Sequence, residues 1–328
     1  MSNSPLSIDP ALFAEEAITE ETARAVAAVE AFLKTIPPIY EIGAVIVRES
    51  RKNGEGLLGM QPLSDIAEWR TINANGLEVP IRVFTPETIN GVYLHIHGGG
   101  HTIGSADSHD QMLEKLAKET NQAVVSVEYR LAPEHPWPAG PDDCEAAACW
   151  LADKMKSEFG TQVLTTGGES AGAHLAAVTM LRMRDKHGFT GYHGANLVYG
   201  VFDLSMTPSL RNWGERNLVL NRKICEWFGD NLLPPDQYSL EAKRDPEISP
   251  LYAKLHDLPP ALFTVGTLDP IIDDTLFMAQ HWLRSGLETQ LEIYPGGIHA
   301  FDAMPIPIAR QAHARINEFL TEQVEKAR

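Results

Sequence analysis

The sequence predicts an α/β fold in which a mostly parallel sheet is covered on both faces by helices. Apolar, β-branched segments alternate with helix-forming segments, first over residues 92–178 and again over residues 261–325. The chain has 328 residues, 44% hydrophobic and 22% charged, which is ordinary for a soluble globular protein. This length suits one large α/β domain with an accessory element, or two domains.

The first 60 residues are predicted to form helices that fold over the rest of the chain. Asp9 before Pro10 is typical of a helix start, and apolar residues then recur at helical spacing to about Lys34. A second helix is predicted over 39–51. Residues 1–60 are too few to form an independent domain, so we expect them to cover another part of the protein.

The remainder is predicted as one α/β domain, 61–203 and 241–328, interrupted by an insertion over 204–240. Asn75-Gly76 between two strand-like segments predicts an antiparallel hairpin. The predicted strands are 66–74, 79–85, 92–96, 123–127, 162–166, 195–199, 261–266 and 288–294. The predicted helices are 108–120, 141–156, the segment that begins at Ala173, 270–283 and 306–325.

Charge and cysteine content exclude several classes of function. A formal net charge of −17 argues against binding to nucleic acid or to anionic membrane surfaces. Three cysteines without a pattern indicate reduced thiols rather than a disulfide framework. Residues 1–10 lack the features of a signal peptide, and no apolar segment approaches the ~20 residues that span a bilayer. We therefore expect a cytoplasmic protein with no membrane partner.

The segment Gly167-Gly168-Glu169-Ser170-Ala171-Gly172 joins a strand to a helix with almost no loop. Such a sharp turn exposes the hydroxyl of Ser170 above the sheet, and the helix N-terminus directs free N–H groups to the same place. The small residues around Ser170 allow strand and helix to approach closely. This pattern predicts that Ser170 is a nucleophile.

A serine nucleophile needs a base and an acid that orients the base. His299 follows the strand that ends at Tyr294, and Asp269 follows the strand over 261–266. Because active residues lie at the carboxyl ends of parallel strands, we predict a Ser170–His299–Asp269 triad. Asp273, one turn into the next helix, is the alternative to Asp269.

Backbone N–H groups are expected to stabilise the oxyanion that forms on attack. The predicted donors are Ala171, Gly99 and Gly100, since glycine lets the backbone itself approach a substrate oxygen. Three neighbours are predicted to have supporting roles. These are His97 and Gly98 in the glycine loop, and Glu169, which supports the turn or the loop around Arg130.

Two other sites are disfavoured by the sequence. His95, His97 and His101 suggest zinc, but no Cys, Asp or Glu joins them at ligand spacing. The glycines could cradle a phosphate, but no Lys-Ser/Thr follows them. We therefore predict no metal and no cofactor.

Taken together, these motifs resemble the hormone-sensitive-lipase family of α/β-hydrolase carboxylesterases. The matching segments are His97-Gly98-Gly99-Gly100, Tyr129-Arg130-Leu131-Ala132-Pro133-Glu134, Gly168-Glu169-Ser170-Ala171-Gly172, Asp269-Pro270 and His299. The resemblance implies the α/β-hydrolase fold, with an eight-stranded sheet and a helical cap made of 1–60 and 204–240. It also implies a small acyl ester as substrate, no metal or cofactor, and a homodimer as one option.

His101 departs from the family pattern, in which a bulky aromatic or apolar residue usually follows the glycines. Its side chain is expected either to line the pocket or to lie at the surface. Trp213, Trp227 and Phe228 are expected to form the core of the insertion rather than to contact substrate.

The expected activity is serine carboxylesterase action on short-to-medium acyl esters through an acyl-enzyme. An amidase or lactonase would use the same chemistry. Some relatives bind ligands without catalysis because they have lost the catalytic histidine, but His299 is present in this chain.

Overall fold

The structure is a computed structural model that describes residues 7–57 and 62–328. The strands are β1 (Ala67–Ala74), β2 (Leu77–Phe84), β3 (Gly91–Ile96), β4 (Gln122–Val127), β5 (Leu164–Glu169), β6 (Tyr192–Val198), β7 (Ala261–Gly266) and β8 (Thr289–Tyr294). The helices are α1 (Glu20–Leu33), α2 (Ile39–Ile42), α3 (Ala44–Lys52), α4 (Asp110–Thr120), α5 (Ala139–Phe159), α6 (Ala171–His187), α7 (Pro208–Asn212), α8 (Arg222–Leu232), α9 (Ile272–Arg284) and α10 (Pro307–Ala327).

All eight strands form one sheet in the order β1-β2-β4-β3-β5-β6-β7-β8. β2 is antiparallel to both of its neighbours, and the pairs from β4 to β8 are parallel. Every residue of β3, β4, β5 and β7 is buried. This explains why these strands are continuous apolar or small-residue segments rather than alternating ones. The predicted α/β fold with a mostly parallel eight-stranded sheet is confirmed.

Helices pack on both faces of the sheet, as predicted. One apolar cluster includes Leu151 of α5, Leu175 of α6 and Trp282 of α9. The other includes Leu113 of α4 and Phe319 of α10. The strands are therefore held in a dry layer, and only their carboxyl ends and connecting loops are free to build a site.

The N-terminal helix begins later than the sequence pattern predicts. Asp9 accepts a hydrogen bond from the Ala11 N–H, but it caps only a four-residue 3-10 turn. α1 starts at Glu20 because the Thr19 hydroxyl caps it by accepting from the Thr22 N–H at 3.2 Å. The predicted helix over 39–51 is divided into α2 and α3 by Gly43, whose φ is +89°.

β5 is longer than predicted, since it continues through the glycines to Glu169 instead of ending at Thr166. Gly167 and Gly168 pair in register with Asn196 and Leu197 of β6. Glycine has a low strand propensity, so the pattern indicated a turn there. Glycine is required at both positions, because a Cβ would lie 2.2 Å from the Asn196 carbonyl oxygen at Gly167 and 2.1 Å from the Ile96 carbonyl oxygen at Gly168.

The N-terminal helices and the insertion lie against each other. Ile39 and Tyr40 pack on a buried cluster that contains Leu210 and Ile224. Farther along, Arg216 forms an ion pair with Glu30 at 3.0 Å.

The predicted domain boundaries, cellular location and oligomeric state are separate from these contacts. The boundaries 1–60, 61–203, 204–240 and 241–328 stay predictions, and residues 1–6 and 58–61 lie outside the described residues. None of the helices in the described ranges is long and apolar enough to cross a membrane. The cytoplasmic location and the homodimer also stay predictions.

Candidate active site

Ser170 occupies a strained turn between β5 and α6. Its φ and ψ are 57° and −119°, a backbone conformation that is uncommon for a residue with a side chain. Its N–H donates to the Val198 carbonyl at 2.8 Å, which fixes the turn to the end of β6. The strand-to-helix connection predicted from the sequence is therefore present, with Ser170 at its apex.

Gly168 and Gly172 on either side of Ser170 are required by one crowded contact. A Cβ at Gly168 would lie 2.1 Å from the Ile96 carbonyl oxygen, and a Cβ at Gly172 would lie 1.9 Å from the same atom. The end of β3 therefore packs closely against the residues on both sides of Ser170. No side chain fits at either position without moving the backbone.

Three predicted residues from separate strand ends meet above the sheet. The Ser170 hydroxyl donates to His299 Nε2 at 2.8 Å, and His299 Nδ1 donates to Asp269 Oδ2 at 2.8 Å. Asp269 is fully buried and also accepts from the Ile271 N–H at 3.0 Å. The carboxylate therefore orients the imidazole so that its other nitrogen faces the serine.

Asp273, the alternative orienting residue, makes different contacts. Its Oδ2 accepts from the Ser209 N–H at 2.7 Å, and its own N–H donates to the Ser209 hydroxyl at 3.3 Å. This reciprocal pair joins the start of α9 to α7. The geometry favours Asp269 as the partner of His299.

The glycine loop after β3 has the backbone conformation that exposed N–H groups need. Gly99 and Gly100 have φ values of +116° and +59°. In the described part of the chain, neither N–H has a hydrogen-bond acceptor. Ala171 is the first residue of α6, so its N–H lacks an acceptor within the helix. These are the three donors predicted for an oxyanion.

His97 lies beneath the glycine loop. Its Nδ1–H donates to the Gly98 carbonyl at 2.8 Å, and its ring stacks on Tyr129 with the centroids 4.2 Å apart. The Tyr129 hydroxyl donates back to the His97 carbonyl at 2.9 Å. Burial lowers the pKa of His97 to about 3, so the ring is neutral at neutral pH. These contacts agree with a bracing role for His97.

We expect the free energy of unfolding to fall as the pH drops from about 6.5 to 4. Burial lowers the pKa of His97 to about 3 and that of His174 to about 4, from an ordinary value of 6.5. Over this range the unfolded chain binds more protons than the folded one. Each histidine should therefore contribute a slope on the order of 1 kcal/mol per pH unit, with its stabilising effect complete above pH ~6.5.

Urea unfolding at several pH values tests this expectation in the wild type and in a His97→Gln variant, which cannot take up the proton. Asp274 acts in the opposite direction, because burial raises its pKa to about 7, but it is present in both proteins. The variant should show the shallower dependence on pH. Equal slopes would show that His97 is not a buried neutral group.

The side chain of Glu169, which directly precedes Ser170, supports the turn through a hydrogen bond to β3. Its Oε2 accepts from His95 Nε2 at 3.0 Å, and His95 Nδ1 bonds to the Ser126 hydroxyl at 2.9 Å. The predicted alternative, in which Glu169 supports the loop around Arg130, is wrong. Arg130 pairs instead with Asp143 at 2.9 Å.

The only group of possible metal ligands among residues 7–57 and 62–328 is His95, His109 and Glu169, whose donor atoms lie within 4.8 Å of one another. No carboxylate lies at ligand spacing from these histidines in the sequence, but the fold brings Glu169 to His95 from another strand. Both ring nitrogens of His95 already form hydrogen bonds. A cation here would have to replace the bond between His95 and Glu169.

Sequence reasoning missed two contacts around the site. His174 bonds to His101 at 2.9 Å, and the ring of Phe228 lies against Gly100. His101 is buried, so the alternative of a surface histidine is wrong. The one available signal was a histidine in the otherwise apolar segment that begins α6. Nothing local indicated which residue it would meet.

Comparison with known proteins agrees with the fold and the motifs. A family model described as the alpha/beta hydrolase fold matches residues 93–303. This chain belongs to the α/β-hydrolase family. The segment matched contains the glycine loop, the turn at Ser170, Asp269 and His299, and it extends across the insertion.

Relatives of this α/β hydrolase include several esterases. It is 31% identical to carboxylesterase NlhH of Mycobacterium tuberculosis over 76% of this chain and 80% of that protein. It is 29% identical to an ethyl acetate hydrolase of Pseudomonas putida over 73% of this chain and 76% of that one. The solved hyperthermophilic esterase of the archaeon Pyrobaculum calidifontis superposes with a TM-score of 0.81 at 27% identity, covering 97% of this chain and 99% of that one. The resemblance to carboxylesterases of the hormone-sensitive-lipase type is confirmed.

Proposed function

We propose that this α/β hydrolase cleaves short-to-medium acyl esters through an acyl-enzyme on Ser170. The observation that carries the proposal is the continuous hydrogen-bond chain from Ser170 through His299 to Asp269, with both bonds at 2.8 Å. Ser170 adjoins the Ala171 N–H, and among the described residues neither this N–H nor those of Gly99 and Gly100 has a hydrogen-bond acceptor. The names of the relatives support ester hydrolysis as the reaction class.

In each step of the proposed reaction, His299 accepts or donates one proton. His299 Nε2 takes the Ser170 proton as the serine oxygen attacks the ester carbonyl, and the resulting oxyanion accepts from Gly99, Gly100 and Ala171. The imidazolium then donates its Nε2 proton to the departing alcohol oxygen. In the second half, His299 removes a proton from water as the water oxygen attacks the acyl carbon. The imidazolium then returns this proton to the Ser170 oxygen, the bond between the acyl carbon and Ser170 breaks, and the acid is released. The Asp269 carboxylate, hydrogen-bonded to Nδ1, stabilises the imidazolium.

The position of Phe228 supports a preference for esters with a small acyl group. A Cβ at Gly100 would lie 2.4 Å from its ring, so the ring packs against the α-carbon of a residue that is one of the proposed oxyanion donors. Relatives named acetyl esterase and ethyl acetate hydrolase act on small acyl groups, as their names state. We propose that Phe228 forms one wall of the acyl pocket, although the sequence pattern indicated only a core position for it.

The Phe228→Ala variant should accept longer acyl chains. We expect the ratio of kcat/KM for the octanoate ester to that for the acetate ester to rise by about tenfold or more, because a lost wall is worth roughly 1–3 kcal/mol. Nitrophenyl esters of increasing chain length provide the measurement. Glu226→Ala, on the same helix, is the matched control, because its carboxylate pairs with Arg222 of that helix. A similar change in both variants would mean that α8 has merely loosened.

We also propose that residues 7–57 and 204–240 act together as a cap over the site. The contacts of Ile39 with the Leu210 cluster and the Arg216–Glu30 ion pair support this arrangement. Since α8 carries Phe228, such a cap would limit the size of the acyl pocket from the side opposite the sheet.

Matched substrates test the reaction class. The wild type should hydrolyse a nitrophenyl ester far faster than the nitroanilide of the same acid or a lactone of similar size. Faster turnover of the amide or lactone would replace the esterase assignment with the amidase or lactonase alternative. Tight binding of ester without turnover would indicate a ligand-binding relative.

A further inference from the structure

Two buried histidines outside the proposed triad form a direct hydrogen bond next to it. His101 Nε2 and His174 Nδ1 are 2.9 Å apart, and the rings meet edge to face with centroids separated by 4.9 Å. His101 directly follows Gly100, whereas His174 lies one helical turn after Ser170. The pair therefore connects the glycine loop to the helix that begins at the nucleophile.

The direction of this hydrogen bond follows from a third group. His174 Nε2 lies 2.7 Å from the Ile248 carbonyl oxygen, which can only accept, so the proton of His174 is on Nε2. Its Nδ1 is then an acceptor, and His101 must donate from Nε2. Burial lowers the pKa of both rings, so both are neutral and the donor chain His101–His174–Ile248 is complete.

The loop that His101 ends has an unusual backbone. Gly99, Gly100 and His101 all have positive φ values, and His101 adopts 58° despite having a side chain. Several bonds hold the loop to itself and to the neighbouring loop. The Gly99 carbonyl accepts from the Ile103 N–H at 2.9 Å, and the His101 carbonyl accepts from the Ala132 N–H at 2.9 Å.

None of those bonds reaches α6, which directly follows the nucleophile and provides the third donor. The bond from His101 to His174 does, and His174 is itself tied to the turn, since its N–H donates to the Ser170 carbonyl at 3.2 Å. An oxyanion hole needs its donors about 2.7–3.1 Å from one oxygen, although they come from two separate segments. A link between the glycine loop and α6 therefore fixes the distance between the N–H donors of these two segments.

We propose that His101 and His174 are positioning residues that hold the Gly99 and Gly100 N–H groups in register with Ser170 and Ala171. The proposal rests on the proposed esterase function, because the oxyanion exists only in that reaction. The Ile248 carbonyl extends the link to the chain that follows the insertion. Neither imidazole is proposed to touch the substrate.

Two variants at one position separate positioning from simple packing. His174→Asn keeps an acceptor near the place of Nδ1 and loses the bond to Ile248, whereas His174→Gln keeps a donor near Nε2 and loses the acceptor for His101. The oxyanion forms only in the transition state, so a displaced loop should lower kcat and leave KM nearly unchanged. We expect kcat of His174→Gln to be at least tenfold below that of His174→Asn, with KM values within about twofold.

The same logic applies at position 101. His101→Gln can donate from Nε2, whereas His101→Phe keeps a ring and removes the donor. We expect kcat to fall by about 10- to 100-fold in His101→Phe and to recover much of that loss in His101→Gln. These losses are smaller than the 10²- to 10³-fold cost of removing a donor outright. His256→Gln, at an exposed histidine, is the control and should match the wild type.

Active sites are counted by titration with an organophosphate, so that kcat refers to folded enzyme only. A second measurement gives the affinity of each variant for a trifluoromethyl ketone, which mimics the tetrahedral adduct. The ketone should bind more weakly to His174→Gln and His101→Phe in proportion to their kcat. Equal kcat and equal ketone affinity in His174→Asn and His174→Gln would overturn the proposal. A wild type that turns over no ester and takes no organophosphate on Ser170 would instead overturn the proposed function.

Discussion

Replacing Ser170 with alanine should lower kcat for a nitrophenyl ester by about 10⁴- to 10⁶-fold. The proposed mechanism forms its covalent bond through the Ser170 oxygen, and within residues 7–57 and 62–328 no other hydroxyl bonds to His299 Nε2. The residual rate would come from the oxyanion donors acting on bound water. Initial rates on purified protein, with kcat and KM determined separately, provide the measurement.

Two controls make the Ser170→Ala result specific. The variant should unfold at nearly the same urea concentration as the wild type, because alanine keeps the Cβ of the strained turn. Ser157→Ala, at a residue whose hydroxyl donates to the Lys154 carbonyl near the end of α5, should keep full activity. A stoichiometric organophosphate adduct on a residue other than Ser170 would contradict the assignment of the nucleophile.

The Asp269→Asn variant should lose about 10⁴-fold in kcat. An asparagine amide can donate a proton toward His299 Nδ1, and this would favour the tautomer with the proton on Nε2. That nitrogen could then no longer accept from Ser170. The backbone contact with the Ile271 N–H can be kept by the asparagine oxygen, so the fold should be retained. The loss should appear in kcat rather than in KM.

Asp273→Asn is the matched control because Asp273 was the alternative prediction from the sequence. Its carboxylate accepts from the Ser209 N–H, a role that an amide oxygen can also fill. We expect activity within about threefold of the wild type. A larger loss in Asp273→Asn than in Asp269→Asn would reverse the two assignments.

Part of this architecture followed from sequence patterns because its causes are local. Apolar β-branched segments form buried strands, and the small residues around Ser170 allow a strand to enter a helix directly. The carboxyl ends of parallel strands share one edge of the sheet, so Asp269 and His299 could be placed near Ser170 although 99 and 129 positions separate them from it in the sequence. The helix start at Glu20 was missed because Asp9 also offers a capping oxygen.

The sequence by itself therefore determined the fold class, the turn at Ser170 and the three side chains of the candidate triad, through propensity, periodicity and strand order. Tertiary structure alone decided that His101 meets His174, that Glu169 meets His95 rather than Arg130, and that Phe228 covers Gly100. Each of these contacts joins segments more than 70 positions apart. Their partners are selected by the space left between packed elements, and no local spacing or propensity encodes that space.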